Sequence, residues 1–160
     1  MNWPDRISNY VKETGFPNAL FIEDQHAFTD QGLYIAADKR VVGIWILGND
    51  YRVQSLFFGG YPAGYLRRIK ALFPDKNKVL HLFSGKVDTS VIPGTTVDLN
   101  PDLNPDIVDD AQTLYKVPLE EYDLVMCDPP YSVEDCDHYK TSMVKRNVVM
   151  RTLGERLTPG

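Results

Sequence analysis

The apolar positions in the first third of the chain form short runs that are separated by turn-forming residues. Residues 33–57 contain three such runs, broken at Asp38-Lys39 and again at Gly48-Asn49-Asp50. Turn residues between short apolar runs are typical of antiparallel strands joined by tight connections. The pattern predicts a β-meander over 33–57, within an N-terminal extension that we expect to span residues 1–57.

Helical spacing of apolar residues begins shortly afterwards. Pro62 suits the first turn of a helix, the apolar positions from Tyr65 to Phe73 recur on one helical face, and Pro74 ends the stretch. We expect a helix over about 62–73.

A second helical pattern lies near the end of the chain. Val144 and Val148 form one i, i+4 apolar pair, and Leu153 and Leu157 form another. This spacing predicts a helix across 142–157. Its basic residues are expected to stay solvated: Lys145, Arg146, Arg151 and Arg156.

Four short apolar runs lie between these helices, and each ends in a polar or glycine-containing turn. They are Val79–Phe83, Thr95–Leu99, Asp106–Asp109 and Tyr122–Cys127. The last run includes the continuous stretch Leu124–Cys127, which is typical of a central parallel strand covered on both faces. Together these elements predict an open α/β sheet of Rossmann type over residues 58–160. In such sheets, ligands bind at the carboxyl ends of the strands.

The connection between the first two predicted strands is short. Only twelve residues separate Gly85 from Asp98, and they include Pro93-Gly94. A parallel crossover with its helix needs at least about 10–12 residues. We therefore expect the first crossover helix to be missing or reduced to about one turn.

Charge narrows the possible functions. The 160 residues include 17 Lys+Arg and 22 Asp+Glu, a formal net charge of −5. Such a chain is not an all-over basic coat protein, so contact with nucleic acid must use a local patch. Residues 138–160 hold five basic residues and one acid. Lys140, Lys145 and Arg146 are the candidates for phosphate contact, and an ordinary solvated face is the alternative.

The sequence shows no pattern typical of a membrane or secreted protein. No apolar run approaches the ~18–20 residues of a membrane span, and the N-terminus lacks the basic-then-apolar order of a signal peptide. Cys127 and Cys136 fit no metal-ligand spacing, and consecutive residues such as Glu134–His138 rarely converge on one ion. We expect a cytoplasmic protein with reduced cysteines, no metal and no membrane partner.

The strongest candidate for chemistry is Asp128-Pro129-Pro130-Tyr131, which directly follows the apolar stretch. Two consecutive prolines form a stiff turn whose carbonyl oxygens are free to accept hydrogen bonds. An exocyclic amine of a nucleobase becomes nucleophilic when acceptors hold both of its hydrogens, a task that suits Asp128 and the Pro129 carbonyl. Tyr131 is suited to stack on a base flipped out of a duplex. The alternative is a plain turn, because Asp and Pro are common turn formers.

This motif resembles the catalytic motif of the S-adenosylmethionine-dependent amino-methyltransferases, which include the DNA N6-adenine and N4-cytosine methyltransferases. In that family the aspartate and the first proline carbonyl bind the target amine, and the aromatic ring stacks on the base. The resemblance covers roughly residues 57–160. It implies a class I methyltransferase fold with a Rossmann-like open sheet and S-adenosylmethionine as cofactor.

Weaker motifs in the family's order imply where the cofactor binds. Phe58-Gly59-Gly60 is similar to the N-terminal glycine element, whose amides hold the methionine carboxylate. Val79–Gly85 is similar to the cofactor-binding strand and loop, although the family commonly has an acid at the position of His81 and a glycine at that of Val87. The loop residues implied are His81, Phe83, Ser84 and Gly85.

Two further elements of the resemblance concern the nucleoside part of the cofactor. Asp98 occupies the place of the acid that holds the ribose hydroxyls, and a carboxylate at a strand end is also the physical device for a diol. Asp110-Ala111 resembles the adenine-binding element, with Asp110 accepting from the amino group. Asp109 is a rival for that role, and either acid could cap a turn.

The resemblance also implies strands for which residues are lacking. Leu153–Gly160 resembles the helix exit that precedes the fifth strand of the family, yet the sequence ends there. We expect a fragment of a longer protein, or a sheet edge covered by the N-terminal meander or by another chain. An uncovered edge would favour self-association.

The implied function is methyl transfer from S-adenosylmethionine to an exocyclic amine of a nucleobase, with adenine N6 in DNA favoured over RNA. One alternative is a methyltransferase that acts on RNA or on a protein amide, because the motif recognises an amino group and not the polymer. The other is a domain that binds S-adenosylmethionine or nucleic acid without catalysis. The partial loop match, the short crossover and the missing strands motivate this last alternative.

Overall fold

The chain divides into two compact units. A computed structural model describes residues 1–15, 33–35, 41–43, 61, 64–130, 136 and 143–158. The first unit comprises Met1–Arg52 and Pro62–Asp75, and the second comprises Val53–Tyr61 and Lys76–Gly160. The boundary predicted at residue 57 stays a prediction.

The first unit begins with a helix that the hydrophobic pattern did not predict. Helix α1 spans Trp3–Thr14, and the Asn2 side chain caps it by accepting a hydrogen bond from the Asp5 amide. It ends at Gly15, whose φ of 74° places it in the left-handed region that glycine tolerates best. Asn at the N-cap and Gly after the last turn are strong local helix signals.

Helix α2 spans Tyr65–Leu72 and packs against α1. Ile7 and Tyr10 of α1 form a buried cluster with Ala71 and Leu72 of α2. The helix predicted over about 62–73 is therefore present, but it begins at Tyr65 and not at residue 62, because Gly64 is its N-cap. It packs against α1 within the first unit.

A short antiparallel hairpin completes the described part of this unit. Strand β1, Leu33–Ile35, pairs with β2, Val41–Gly43. Both strands fall within the predicted meander, but the run predicted to form its third strand lies outside the described residues. The structure therefore does not show a meander.

An ion pair joins the two ends of the first unit. The guanidinium of Arg6, which is 7% exposed, donates to both carboxylate oxygens of Asp75 and to the Leu72 carbonyl. It also lies over the Phe73 ring, 5.1 Å from the centroid. Hydrogen bonding to Arg6 holds the pKa of Asp75 well below its usual range. The bidentate geometry fixes the end of α2 against the start of α1.

The second unit is built on a four-stranded parallel sheet. Its strands are β3, Val79–Leu82; β4, Thr95–Asp98; β5, Ile107–Val108; and β6, Leu124–Cys127. They lie in the order β5-β4-β3-β6, and every pair is parallel. All four predicted strands are present. A mixed α/β unit with this sheet is compatible with a Rossmann-like fold, while its assignment to the methyltransferase class stays a prediction.

Helix α3, Arg146–Arg156, closes the core of this unit. Val149 and Leu153 pack in one buried cluster with Leu80 and Leu82 of the central strand. The prediction that Arg156 stays solvated is wrong. Its guanidinium donates to three backbone carbonyls, those of Thr113, Leu114 and Val117.

The connection from β3 to β4 contains no helix within residues 83–94, as its length predicted. The His81 ring holds this connection through a 3.0 Å hydrogen bond to the Ile92 carbonyl. At Gly94 the connection passes so close to β3 that an added Cβ would lie 2.5 Å from the Val79 carbonyl oxygen. Only glycine fits there, because a side chain would clash with the backbone of β3 and with the His81 ring.

No helix in the described ranges has the length and apolar character needed to cross a membrane.

Strand β6 pairs with β3 on one side, and no described residues form a strand on its other side. The expected self-association through this edge stays a prediction.

Candidate functional site

The sheet brings the candidate residues of four strand ends to one edge. Leu82 is in register with both Val97 and Cys127, and Asp98 is in register with Val108. The residues after each strand therefore emerge side by side at the carboxyl edge. Strands β3 and β6 are neighbours although β4 and β5 separate them in the chain, so a topological switch point lies between them.

The loop after β3 has a strained backbone. Phe83 has a φ of 54° and Gly85 a φ of 50°. A bulky residue in the left-handed region costs about 1–3 kcal/mol and persists only where its surroundings hold it. Here the Ser84 amide donates to the Val97 carbonyl at 3.1 Å, and the Phe83 ring packs against the core. Strain of this kind clusters at binding sites.

Ser84 carries a buried hydroxyl within this loop. The residue is 4% exposed, and its Oγ has no hydrogen-bond partner among the residues that the structure describes. Leaving such a group unsatisfied costs about 1–3 kcal/mol. The Oγ atom is itself buried, so the structure shows no exposed surface of this hydroxyl at the carboxyl edge.

Asp98 ties the end of β4 to the same loop. Its Oδ2 accepts from the Gly85 amide at 3.0 Å, and its Oδ1 accepts from the Asn100 amide at 2.9 Å. A carboxylate has about four acceptor sites, so each oxygen retains one for a ligand donor. The side chain is half-buried. Asp98 can thus hold the loop and a diol at once.

Two exposed apolar side chains lie next to this carboxylate at the carboxyl edge of the sheet. The sequence pattern indicated both only as parts of strands. Leu99 is 51% exposed, and Val108, the register partner of Asp98, is 37% exposed. Apolar surface beside a carboxylate suits the flat ring of a nucleobase next to a ribose. The sequence signal for Leu99 and Val108 was their position directly beside Asp98 and Asp109 at the ends of predicted strands.

The structure separates the two rival acids that follow β5. Asp109 is 8% exposed, and its two oxygens accept from the backbone amides of Asp110 and Lys116. Asp110 is half-buried and accepts from the Gln112 amide at 2.8 Å. Asp109 is therefore a buried structural cap, whereas Asp110, which also accepts from the Gln112 side-chain amide at 3.4 Å, is the more exposed of the two acids. Ala111, at 6% exposure, packs into the core cluster.

His81 lies in the interior. Its ring is fully buried against Ile92 and the backbone of Gly94, and burial lowers its pKa. A neutral imidazole whose Nε2–H donates to the Ile92 carbonyl explains this arrangement. The ring has no exposed surface for a cofactor contact, so its structural role is to hold the connection between β3 and β4.

The predicted catalytic turn follows β6 directly. Asp128 and Pro129 are half-buried, and Pro130 is buried. The adjacent Cys127 thiol has its pKa raised to about 11 by burial and by the Asp128 carboxylate. The thiol is therefore neutral near pH 7 and is no nucleophile. The site offers hydrogen-bond acceptors instead of a reactive sulfur.

One of the predicted phosphate-binding residues contacts this turn. Arg146 donates from Nη2 to the Pro130 carbonyl at 3.4 Å. Lys145 is exposed, and its backbone amide donates to the Gln112 side chain. Their predicted contact with nucleic acid stays a prediction. Five predicted site residues lie outside the described residues: Phe58, Gly59, Gly60, Tyr131 and Lys140.

Within the described residues, no group of three or more His, Cys, Asp and Glu side chains is arranged to hold a metal ion. Comparisons of the chain with models of known protein families, with curated proteins and with solved structures found no match.

Proposed function

We propose that this chain transfers a methyl group from S-adenosylmethionine to an exocyclic amine of a nucleobase, with adenine N6 in DNA as the favoured acceptor. One observation carries the proposal. Asp128-Pro129, a rigid pair of hydrogen-bond acceptors, follows β6 directly beside the strained loop Phe83–Gly85 of β3. A ligand bound at the loop and an amine held by the turn would meet at the same sheet edge.

The residues at this edge fit the proposed cofactor. The remaining acceptor sites of the half-buried Asp98 carboxylate are complementary to the ribose hydroxyls. Leu99 offers apolar surface to an adenine ring, and Asp110 is the accessible acid for its amino group. S-adenosylmethionine supplies an activated methyl group on a sulfonium, so the protein need not provide a nucleophile of its own.

The contribution of the chain is to bind and orient the amine. In the proposed site, the Asp128 carboxylate and the Pro129 carbonyl accept the two amine hydrogens and direct the nitrogen lone pair away from the ring. The carboxylate also stabilises the positive charge that develops on the nitrogen and lies where the departing proton is released. Tyr131 follows in the motif and is proposed to stack on the flipped base. Positioning supplies most of the acceleration.

A labelled-methyl assay tests the proposal. The whole chain is incubated with methyl-labelled S-adenosylmethionine and, in separate reactions, with DNA, RNA and total protein. We expect incorporation into DNA and a fall of about 10²–10³-fold in Asp128→Ala, the size of effect seen when one transition-state hydrogen bond is removed. Asp102→Ala removes an exposed carboxylate from the nearby 3₁₀ turn Pro101–Leu103 and serves as the matched control.

The other outcomes separate the remaining functions. Incorporation only into RNA or protein would identify a different acceptor for the same turn. Saturable cofactor binding without transfer to any polymer would favour a binding domain. Full activity in Asp128→Ala would show that the turn is not catalytic.

A further inference from the structure

A cavity in the first unit has a positively charged lining. Its volume is about 490 Å³, within the usual range for ligand sites, and residues of α1 and α2 line it. The described residues of the lining include three cations, Arg67, Arg68 and Lys70, and one acid, Glu13. The complete chain carries a net charge of −5. The described part of the lining therefore carries a local charge of opposite sign.

The acid among the described residues of the lining also pairs with a cation outside the cavity. Glu13 forms an ion pair with Lys12, at 3.6 Å between Oε1 and Nζ. Lys12 is the neighbouring exposed residue and does not line the cavity. Glu13 therefore offsets only part of the positive charge of the lining.

The backbone adds positive charge in the same place. The helix α2 begins after Gly64, which also lines the cavity, and no side chain caps its first turn. The first turn contains no acid, and Arg67 and Arg68 occupy the third and fourth helical positions. Cations at a helix N-terminus oppose the helix dipole, so this arrangement is unfavourable unless an anion binds there.

The cations extend from the interior of the cavity to the surface. Arg68 is 9% exposed, whereas Arg67 and Lys70 are exposed and lie three positions apart on one helical face. A single small anion would need only a cation inside the cavity. A row that continues outward suits a chain of phosphates, and guanidinium groups match phosphate oxygens in a bidentate manner.

We propose that the α1–α2 cavity binds the phosphodiester backbone of a nucleic acid. This surface differs from the predicted basic residues Lys140, Lys145 and Arg146. It also stands independently of the proposed methyl transfer, since phosphate contacts require neither cofactor nor catalysis.

Fluorescence anisotropy of a labelled DNA oligonucleotide, without S-adenosylmethionine, tests the proposal. The whole chain is compared with the double variant Arg67→Gln, Lys70→Gln over about 50–200 mM NaCl. Both residues are exposed, so the variant is expected to fold. Losing two phosphate contacts should lower the slope of log affinity against log salt by about two and weaken binding at least about tenfold.

Two further variants make the test specific. Lys78→Gln, Arg151→Gln changes two exposed cations outside the cavity and removes the same charge, so we expect unchanged affinity. Glu13→Gln removes an acid of the lining and should strengthen binding by about two- to fivefold. A gain in affinity cannot arise from misfolding.

Several results would overturn the proposal. An equal loss in both double variants would mean that only net charge matters. Unchanged binding in Arg67→Gln, Lys70→Gln would remove the cavity from the interface. Binding of pyrophosphate at the cavity with no affinity for DNA would identify a small-anion site instead.

Discussion

The Gly85 amide donates a 3.0 Å hydrogen bond to the Asp98 carboxylate, and this bond joins the loop after β3 to the end of β4. Strands β3 and β4, which lead to this loop and to Asp98, are paired in register from Leu80 with Thr95 to Leu82 with Val97. The acid proposed to hold a ribose thus also maintains the loop proposed to hold the methionine part. Loss of Asp98 should therefore affect both the fold and the cofactor.

We predict that Asp98→Ala lowers the affinity for S-adenosylmethionine at least about tenfold and the free energy of unfolding by about 1.5–3 kcal/mol. The first effect follows from lost ribose contacts, and the second from two lost hydrogen bonds to a charged acceptor. Calorimetric titration and urea unfolding measure them separately. Asp102→Ala is the control, and unchanged cofactor affinity in a folded Asp98→Ala would contradict the ribose assignment.

Stability is predicted to fall between pH 7.5 and pH 5.5 because of His81. Burial lowers the pKa of this group from its ordinary value of 6.5, so the folded state binds a proton less readily than the unfolded chain does. As the pH falls through 6.5 the unfolded chain gains protons first, and the free energy of unfolding declines by up to about 1.4 kcal/mol at pH 5.5.

Urea midpoints in this pH window test the His81 prediction. The decline should be smaller in His81→Gln, which is expected to be less stable at every pH. The described carboxyl groups with lowered pKa are Asp75, Asp88 and Asp106, and any stability they contribute is lost only as the pH falls below their ordinary pKa of 3.8. An equal decline in both proteins would contradict the assignment to His81.

Gly94→Ala is predicted to destabilise the second unit by about 1–3 kcal/mol or more. The new methyl group would lie 2.5 Å from the Val79 carbonyl oxygen, and strand backbone cannot move aside cheaply. Gly154→Ala in α3 is the matched control, since nothing lies within 4 Å of its added Cβ. That variant should be stabilised by up to about 1 kcal/mol, because alanine favours helix. Thermal or urea unfolding compares the two, and equal effects would contradict the close approach.

Arg156→Ala should lower the free energy of unfolding by about 2–3 kcal/mol. The guanidinium donates to the carbonyls of Thr113, Leu114 and Val117, so the variant loses three charge-assisted hydrogen bonds, while the Leu114 and Val117 carbonyls each keep one backbone amide donor. Arg151→Ala, an exposed change on the same helix, should stay within about 0.5 kcal/mol of the parent. Urea unfolding of both variants tests this prediction. An unchanged free energy of unfolding in Arg156→Ala would mean that water replaces the lost donors.

Local sequence was sufficient to predict most regular elements. The four parallel strands were identifiable because short apolar runs such as Leu124–Cys127 are bounded by turn residues, and α2 because its apolar face recurs every three to four positions. These are properties of neighbouring residues. The hydrophobic pattern did not predict helix α1, although its capping residues, Asn2 and Gly15, were present in the sequence.

Tertiary structure alone decided which of these residues meet. The pairing of β6 with β3 brings Asp128 beside Phe83, and nothing in the separation of these residues along the chain specifies it. Burial likewise distinguished Asp109, which is 8% exposed, from the half-buried Asp110. The hydrogen bonds of the Arg156 guanidinium also depend on backbone carbonyls about forty positions away in the chain. Local patterns record which faces are apolar, whereas hydrogen-bond partners and desolvation follow from packing between distant segments.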